Sequence, residues 1–435
     1  MQPYYELAYS LASGSLCFFV GTGFSKYLTD GEAPDWKTLL KTCCNSLNDP
    51  DFLLEDLFPD DRIIMPLEEC ASVISLQLKK EGKDIYEVIS RELLKLNAKT
   101  EPRDIVRSFV SRHPTLKFIT TNYDILIEED VLDGKCTSFC PGFPVNRQRN
   151  NNEVYHIHGA IKSPNNMIVT SDDYYRFLHL PNYFSKRLDT LIEEYTVVII
   201  GYSLGDVNLK SMLNSHRYSS RNGINRQHLF FLSRRPVPQH IKDYYDSSYG
   251  LRVIDSTEIP DFLQNIGDQY ERIHTRVKKA KPAADQVLKE DYKYTDEYLK
   301  SKDSFVEILT TISSTGVIVT HPKVIELIEN IITRKHGFTR LDGAWEQYAH
   351  LAEWLVFLGT IMDLEDKERL KEPYLKAVKT SFSTMSKKME LGKSWDAFKI
   401  WRSHWGDLTY KNRKMIRESF GDDSALFELY IFIYT

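Results

Sequence analysis

Residue types able to do chemistry gather in four short motifs, each closing a β-rich run: GTGFS at 21–25, TTNYD at 120–124, YHIHG at 155–159 and GYSLGD at 201–206. Gly21 and Gly23, on either side of Thr22 and followed by Ser25, suit a turn whose amides approach a phosphate closely. A dehydrogenase fingerprint would add a third glycine and an acidic residue ending the next strand. Phe24 and Ser25 follow instead, which disfavours hydride transfer. Asn122 and Asp124 stand one residue apart and can face one crevice, or either can cap a helix beginning at ILIEE. His156 and His158 share a strand face, so they read as a metal pair, as a catalytic histidine beside Gly159, or as satisfied structural histidines. A histidine titrating near neutrality suits a general base. In the last motif Gly201 permits close backbone approach, Ser203 offers a hydroxyl and Asp206 can cap the next helix.

These motifs need strand ends to hold them. Six β-rich runs, at 16–20, 116–122, 153–159, 196–203, 228–233 and 251–255, alternate with helical stretches. Several are apolar throughout, as strands covered on both faces are. The pattern predicts an α/β domain with a Rossmann-like, doubly wound parallel sheet over residues 1–275, carrying a helical insertion at about 36–112. Residues 276–290, basic and holding a proline, read as a linker. Residues 291–435 read as an all-α C-terminal domain for oligomerisation or partner binding. The closing LFELYIFIYT suits core docking or an oligomer interface.

Composition narrows the function classes. With 435 residues, 42% hydrophobic and 27% charged, the chain reads as globular. A formal charge of −5 supplies no general basic field for nucleic acid or a membrane surface. The opening MQPYYELAYS lacks a signal-peptide pattern, and the six cysteines show no disulfide framework, so a reduced cytoplasmic protein is expected. Cys136 and Cys140 could form half of a zinc site, but no second pair follows, and incidental thiols are the favoured reading.

Taken in order, GTGFS, APDW at 33–36, TTNYD, IHG and GYSLGD resemble the Sir2 (sirtuin-like) NAD-binding domain over about residues 10–260. The likeness is to the divergent bacterial branch found in anti-phage defence, whose members degrade NAD. The resemblance implies that Gly21, Thr22, Gly23 and Ser25 hold the NAD phosphates, with Asp35 and Trp36 beside the nicotinamide ribose. It implies Asn122 and His158 as catalytic residues, Asp124 as the acid contacting nicotinamide, and Gly201, Ser203 and Asp206 on the adenosine side. His156 is left a supporting or structural role. Protein-deacylating sirtuins carry a four-cysteine zinc module and a glutamine where Thr121 stands, so no zinc is expected here. The implied activity is NAD+ glycohydrolysis in a homo-oligomer controlled by a defence partner, such as a helicase-type ATPase, an Argonaute-like protein or another phage sensor. A protein deacylase, an ADP-ribosyltransferase and a non-catalytic NAD-binding module are the alternatives.

Overall fold

The computed structural model describes residues 2–146, 152–179, 183–203, 213, 229–289, 293–315, 317, 321–341, 344–384 and 392–420. Seven parallel strands form one sheet: β1 (Leu16–Val20), β2 (Lys117–Thr120), β3 (Cys136–Phe139), β4 (Asn152–His156), β5 (Thr196–Ile200), β6 (Leu229–Leu232) and β7 (Leu251–Ile254). Their order across the sheet is β3-β4-β2-β1-β5-β6-β7. Strands β1, β5 and β6 are buried along their whole length, which explains their near-continuous apolar sequence.

The chain leaves β1 towards one edge and returns at β5 on its other side. Strand order therefore reverses at β1, and ligand crevices in open α/β sheets form outside the carboxyl ends at such a switch. Val20 pairs with Thr120 on one side and with Ile200 on the other. Thr120 pairs in turn with His156. All four chemistry-bearing motifs thus emerge from neighbouring strands at the same level. Strand β3 was not among the predicted runs, because an edge segment of four residues with Ser138 exposed carries little apolar signal.

The helical insertion runs through α3 (Trp36–Cys44), α4 (Asp51–Leu57), α5 (Leu67–Lys80), α6 (Ile85–Leu93) and α7 (Thr100–Arg112), after α1 (Gln2–Ala12) and α2 (Thr22–Leu28). Leu40, Cys43, Cys44, Cys70, Ile74, Ile85 and Ile89 give it a core that also takes in Tyr123, Ile161, Met167 and Val169. The insertion is thereby fixed against the segments that leave β2 and β4.

Among the described residues, the helices α8 (Ser171–His179), α9 (Tyr183–Glu194) and α10 (Gln239–Tyr249) border the sheet region. Most of the stretch read as a linker lies in the next helix, α11, which runs from Ile259 to Lys289 with Pro282 inside it. Among the described side chains of that stretch, Val277 and Ala284 carry its buried face, and the neighbouring lysines hide it in the sequence. Beyond it lie α12 (Asp296–Lys300), α13 (Ser304–Ser314), α14 (Pro322–Phe338), α15 (Trp345–Ile361), α16 (Glu368–Phe382), α17 (Trp395–His404) and α18 (Tyr410–Phe420). One apolar core joins Phe18, Phe118 and Val198 of the sheet to Phe262 of α11 and to Phe305, Ile312 and Trp354 of these helices. At the N-terminus, Tyr5 donates to Glu307 at 3.2 Å and Tyr9 to Thr311 at 3.0 Å, tying α1 to α13.

Candidate active site

The glycine turn follows from how close β1 and β5 bring their ends. The Gly21 amide donates to the Ile200 carbonyl at 2.9 Å and the Gly23 amide to the Gly201 carbonyl at 2.8 Å. A Cβ on Gly23 would lie 2.7 Å from the Gly201 Cα, and one on Gly21 would lie 2.7 Å from the Tyr202 ring. Gly201 has φ +78°, and a Cβ there would meet the Phe24 nitrogen at 2.3 Å. The glycines are thus required by the contact of two strand-end turns. Thr22 opens α2 with Gly21 as its N-cap.

One turn into α2, the Ser25 hydroxyl donates to Asp124 Oδ2 at 2.7 Å and accepts from Asn122 Nδ2 at 2.8 Å. The structure therefore joins the first and second motifs into one side-chain cluster. Asn122 is fixed further by its amide, which donates to Thr120 Oγ1 at 3.0 Å. That hydroxyl donates to the Val20 carbonyl, also at 3.0 Å. Burial pushes the Asp124 carboxyl above the usual carboxylate range, against the Ser25 hydroxyl and Leu126 amide that bond it.

The two histidines have different surroundings. His156, 1% exposed, places Nε2 2.5 Å from Glu128 Oε1 and Nδ1 3.2 Å from the Asn122 carbonyl oxygen. His158 is buried against the rings of Tyr174 and Phe177, at centroid distances of 5.4 and 5.5 Å. Its ring makes no hydrogen bond to a described residue. Burial lowers its pKa to about 4, which corrects the expectation of a histidine titrating near neutrality. Gly159 beyond it has φ +85° and would place a Cβ 2.7 Å from the Asn166 carbonyl.

Asp35 caps α3 by accepting from the Thr38 amide at 2.9 Å, and it pairs with Lys26 of α2 at 2.9 Å. Trp36 sets its ring edge-on to Tyr123, 5.9 Å away, so APDW borders the Asn122 segment. Gly201 joins the glycine turn, Ser203 is exposed at the end of the same segment, and Asp206 lies outside the described residues. Sequence reasoning passed over Tyr202, whose hydroxyl bonds Thr121 at 2.6 Å across the end of β1. It also passed over Glu128, whose relation to His156 spans 28 residues and leaves no local pattern.

Cys136 starts β3 and Cys140 follows it, while Cys17 lies in β1 and Cys43, Cys44 and Cys70 in the insertion core. Among the described residues, no group of three or more His, Cys, Asp or Glu is placed to hold a metal ion. Also among them, no helix is long and apolar enough to cross a membrane.

Residues 116–254 match the SIR2-like domain family, so the match takes in β2 through β7 and three of the four motifs. Over 262 residues the chain is 26% identical to Defense-associated sirtuin 2 of Bacillus subtilis. That similarity covers 59% of this chain and 24% of the longer relative.

Proposed function

We propose that this chain, which carries a SIR2-like domain and resembles a defence-associated sirtuin, is an NAD+ glycohydrolase serving as a defence effector. The observation that carries the reading is the hydrogen-bonded cluster of Ser25, Asn122 and Asp124 at a switch-point crevice. His158 leaves the neighbouring strand at the level matching Asn122, as the pairing of Thr120 with His156 requires.

Cleaving nicotinamide from ribose builds positive charge on the sugar, and a catalyst must bind that oxocarbenium-like state more tightly than the intact dinucleotide. In this reading the turn at Gly21, Thr22 and Gly23 cradles the pyrophosphate. Gly201, Ser203 and Asp206 line the adenosine side. Asp35 and Trp36 border the nicotinamide ribose. Asn122 is held through Nδ2 by Ser25, which leaves its Oδ1 for a ribose hydroxyl or the attacking water. Asp124 meets the nicotinamide carboxamide. His158, uncharged at neutral pH, accepts a hydrogen bond from the ribose or the water and takes the proton as the bond breaks. The products are nicotinamide and ADP-ribose. Toxicity of unrestrained NAD cleavage calls for control, by self-assembly or by a partner that senses infection.

Protein deacylation is the weaker reading. Thr121 stands where deacylases carry glutamine, and four of the six cysteines are spread over β1 and the insertion core. Incubation with NAD and with an acyl-lysine peptide separates the two. Hydrolysis predicts peptide-independent nicotinamide release that Asn122→Ala and His158→Ala each abolish. Release only with peptide would reject the proposal.

A further inference from the structure

We propose that His156 and Glu128 form a buried, charged strut that holds the Asn122 backbone in its working position. The proposal rests on the reading of Asn122 as the residue acting on the ribose. It assigns the other histidine of the YHIHG motif, and an acid outside every motif, to the same reaction.

Geometry and electrostatics together favour a charged ring. Both nitrogens of His156 face acceptors, the Asn122 carbonyl at 3.2 Å and Glu128 Oε1 at 2.5 Å. A neutral imidazole has one N–H, so only the doubly protonated ring can donate to both. Burial opposes that charge, but the facing Glu128 outweighs it, and the His156 pKa stands above its ordinary value. Burial likewise opposes the Glu128 charge, and His156 reverses the effect, so the Glu128 pKa is lowered. Both groups are at most 2% exposed, and a pair so buried is tolerable only with its charges matched.

The path of the chain supports the assignment. Glu128 sits in a single π-helical turn, Ile127–Val131, directly after the Asn122 segment. Such turns are rare and recur at functional sites. The Ser138 hydroxyl of β3 donates to the same Glu128 oxygen, Oε1, at 2.9 Å. Among the described residues Oε2 of Glu128 has no partner, and the bonds to His156 and Ser138 both fall on Oε1. A continuous chain thus runs Ser138–Glu128–His156–Asn122–Ser25–Asp124, gripping Asn122 by its backbone oxygen at one end and its side-chain nitrogen at the other. His156 and Glu128 are positioning residues: they reach the reacting atoms only through Asn122.

The test uses Glu128→Gln, which keeps shape and removes charge, and Glu128→Asp, which keeps charge on a shorter stem. Nicotinamide release is measured over a range of NAD concentrations, alongside hydrogen exchange of residues 120–126 in the full chain. Glu128→Gln is expected to lower kcat about tenfold to a hundredfold and to leave KM within about twofold. Exchange at 120–126 rises while other segments keep wild-type protection, and Glu128→Asp recovers part of both effects. A merely structural pair would lower the melting temperature yet leave kcat per folded molecule and the local exchange unchanged, and that overturns the proposal. Should Glu128→Gln fail to fold, Ser138→Ala serves instead, with smaller changes of the same sign expected and unchanged exchange overturning the strut. If the wild-type chain releases no nicotinamide while exchange still rises in Glu128→Gln, the strut stands and the glycohydrolase reading falls.

Discussion

Ser25 is the hinge of the proposed site, since one hydroxyl serves both Asn122 and Asp124. Ser25→Ala removes both bonds and is expected to lower nicotinamide release about tenfold to a hundredfold, with a smaller effect on NAD affinity measured by calorimetry. His158 makes a separate prediction through its surroundings. Because burial holds its pKa at about 4, its neutral form persists far below the ordinary histidine range. The kcat/KM profile should therefore lack an inflection near pH 6.5 and should fall only as pH approaches 4. Stability carries the matching sign. As pH drops from about 6.5 towards 4 the unfolded chain gains a proton that the folded one refuses, so stability falls through that window. Replacing His158 by Phe should flatten this fall by about one proton's worth of slope, seen in melts across pH. The placement of Asn122, Asp124 and His158 just beyond strand ends was legible in the sequence, because each follows a recognisable strand. Glu128 was not, since its partner lies across the fold and ILIEED reads as any helix start.

At the scale of elements, the crevice depends on two turns pressed together rather than on glycines left bare for a ligand. Gly23→Ala and Gly201→Ala should each lower stability by about 1–3 kcal/mol or more, because the added Cβ meets backbone at 2.7 and 2.3 Å. Thermal melts check this. Wild-type melting with lost NAD binding alone would reject the packing account. The strand ends were readable from the apolar runs, whereas edge strand β3 was not, for lack of apolar residues. Among the C-terminal helices, Asn412 donates to the Gly359 and Met362 carbonyls and accepts from the Leu364 amide, closing the end of α15. Asn412→Ala should cost about 2–4 kcal/mol in denaturant unfolding, since those groups are buried without replacement.

Across the whole molecule, the SIR2-like region and the C-terminal helices share one apolar core, and α11 runs through the junction without a break. The sequence concealed this continuity, because lysines and alanines around Pro282 imitate a linker. Cutting the chain after residue 290 would bare the α1 and α11 surfaces that α13 covers, so the remaining piece should be unstable and rapidly digested by protease. The account is tested most directly by following nicotinamide release from NAD by the full chain beside Asn122→Ala and His158→Ala. It predicts steady release by the wild type and none above background by either variant, with all three folded at the assay temperature. Equal release by the three proteins, or release by the wild type only when an acyl-lysine peptide is added, would contradict it.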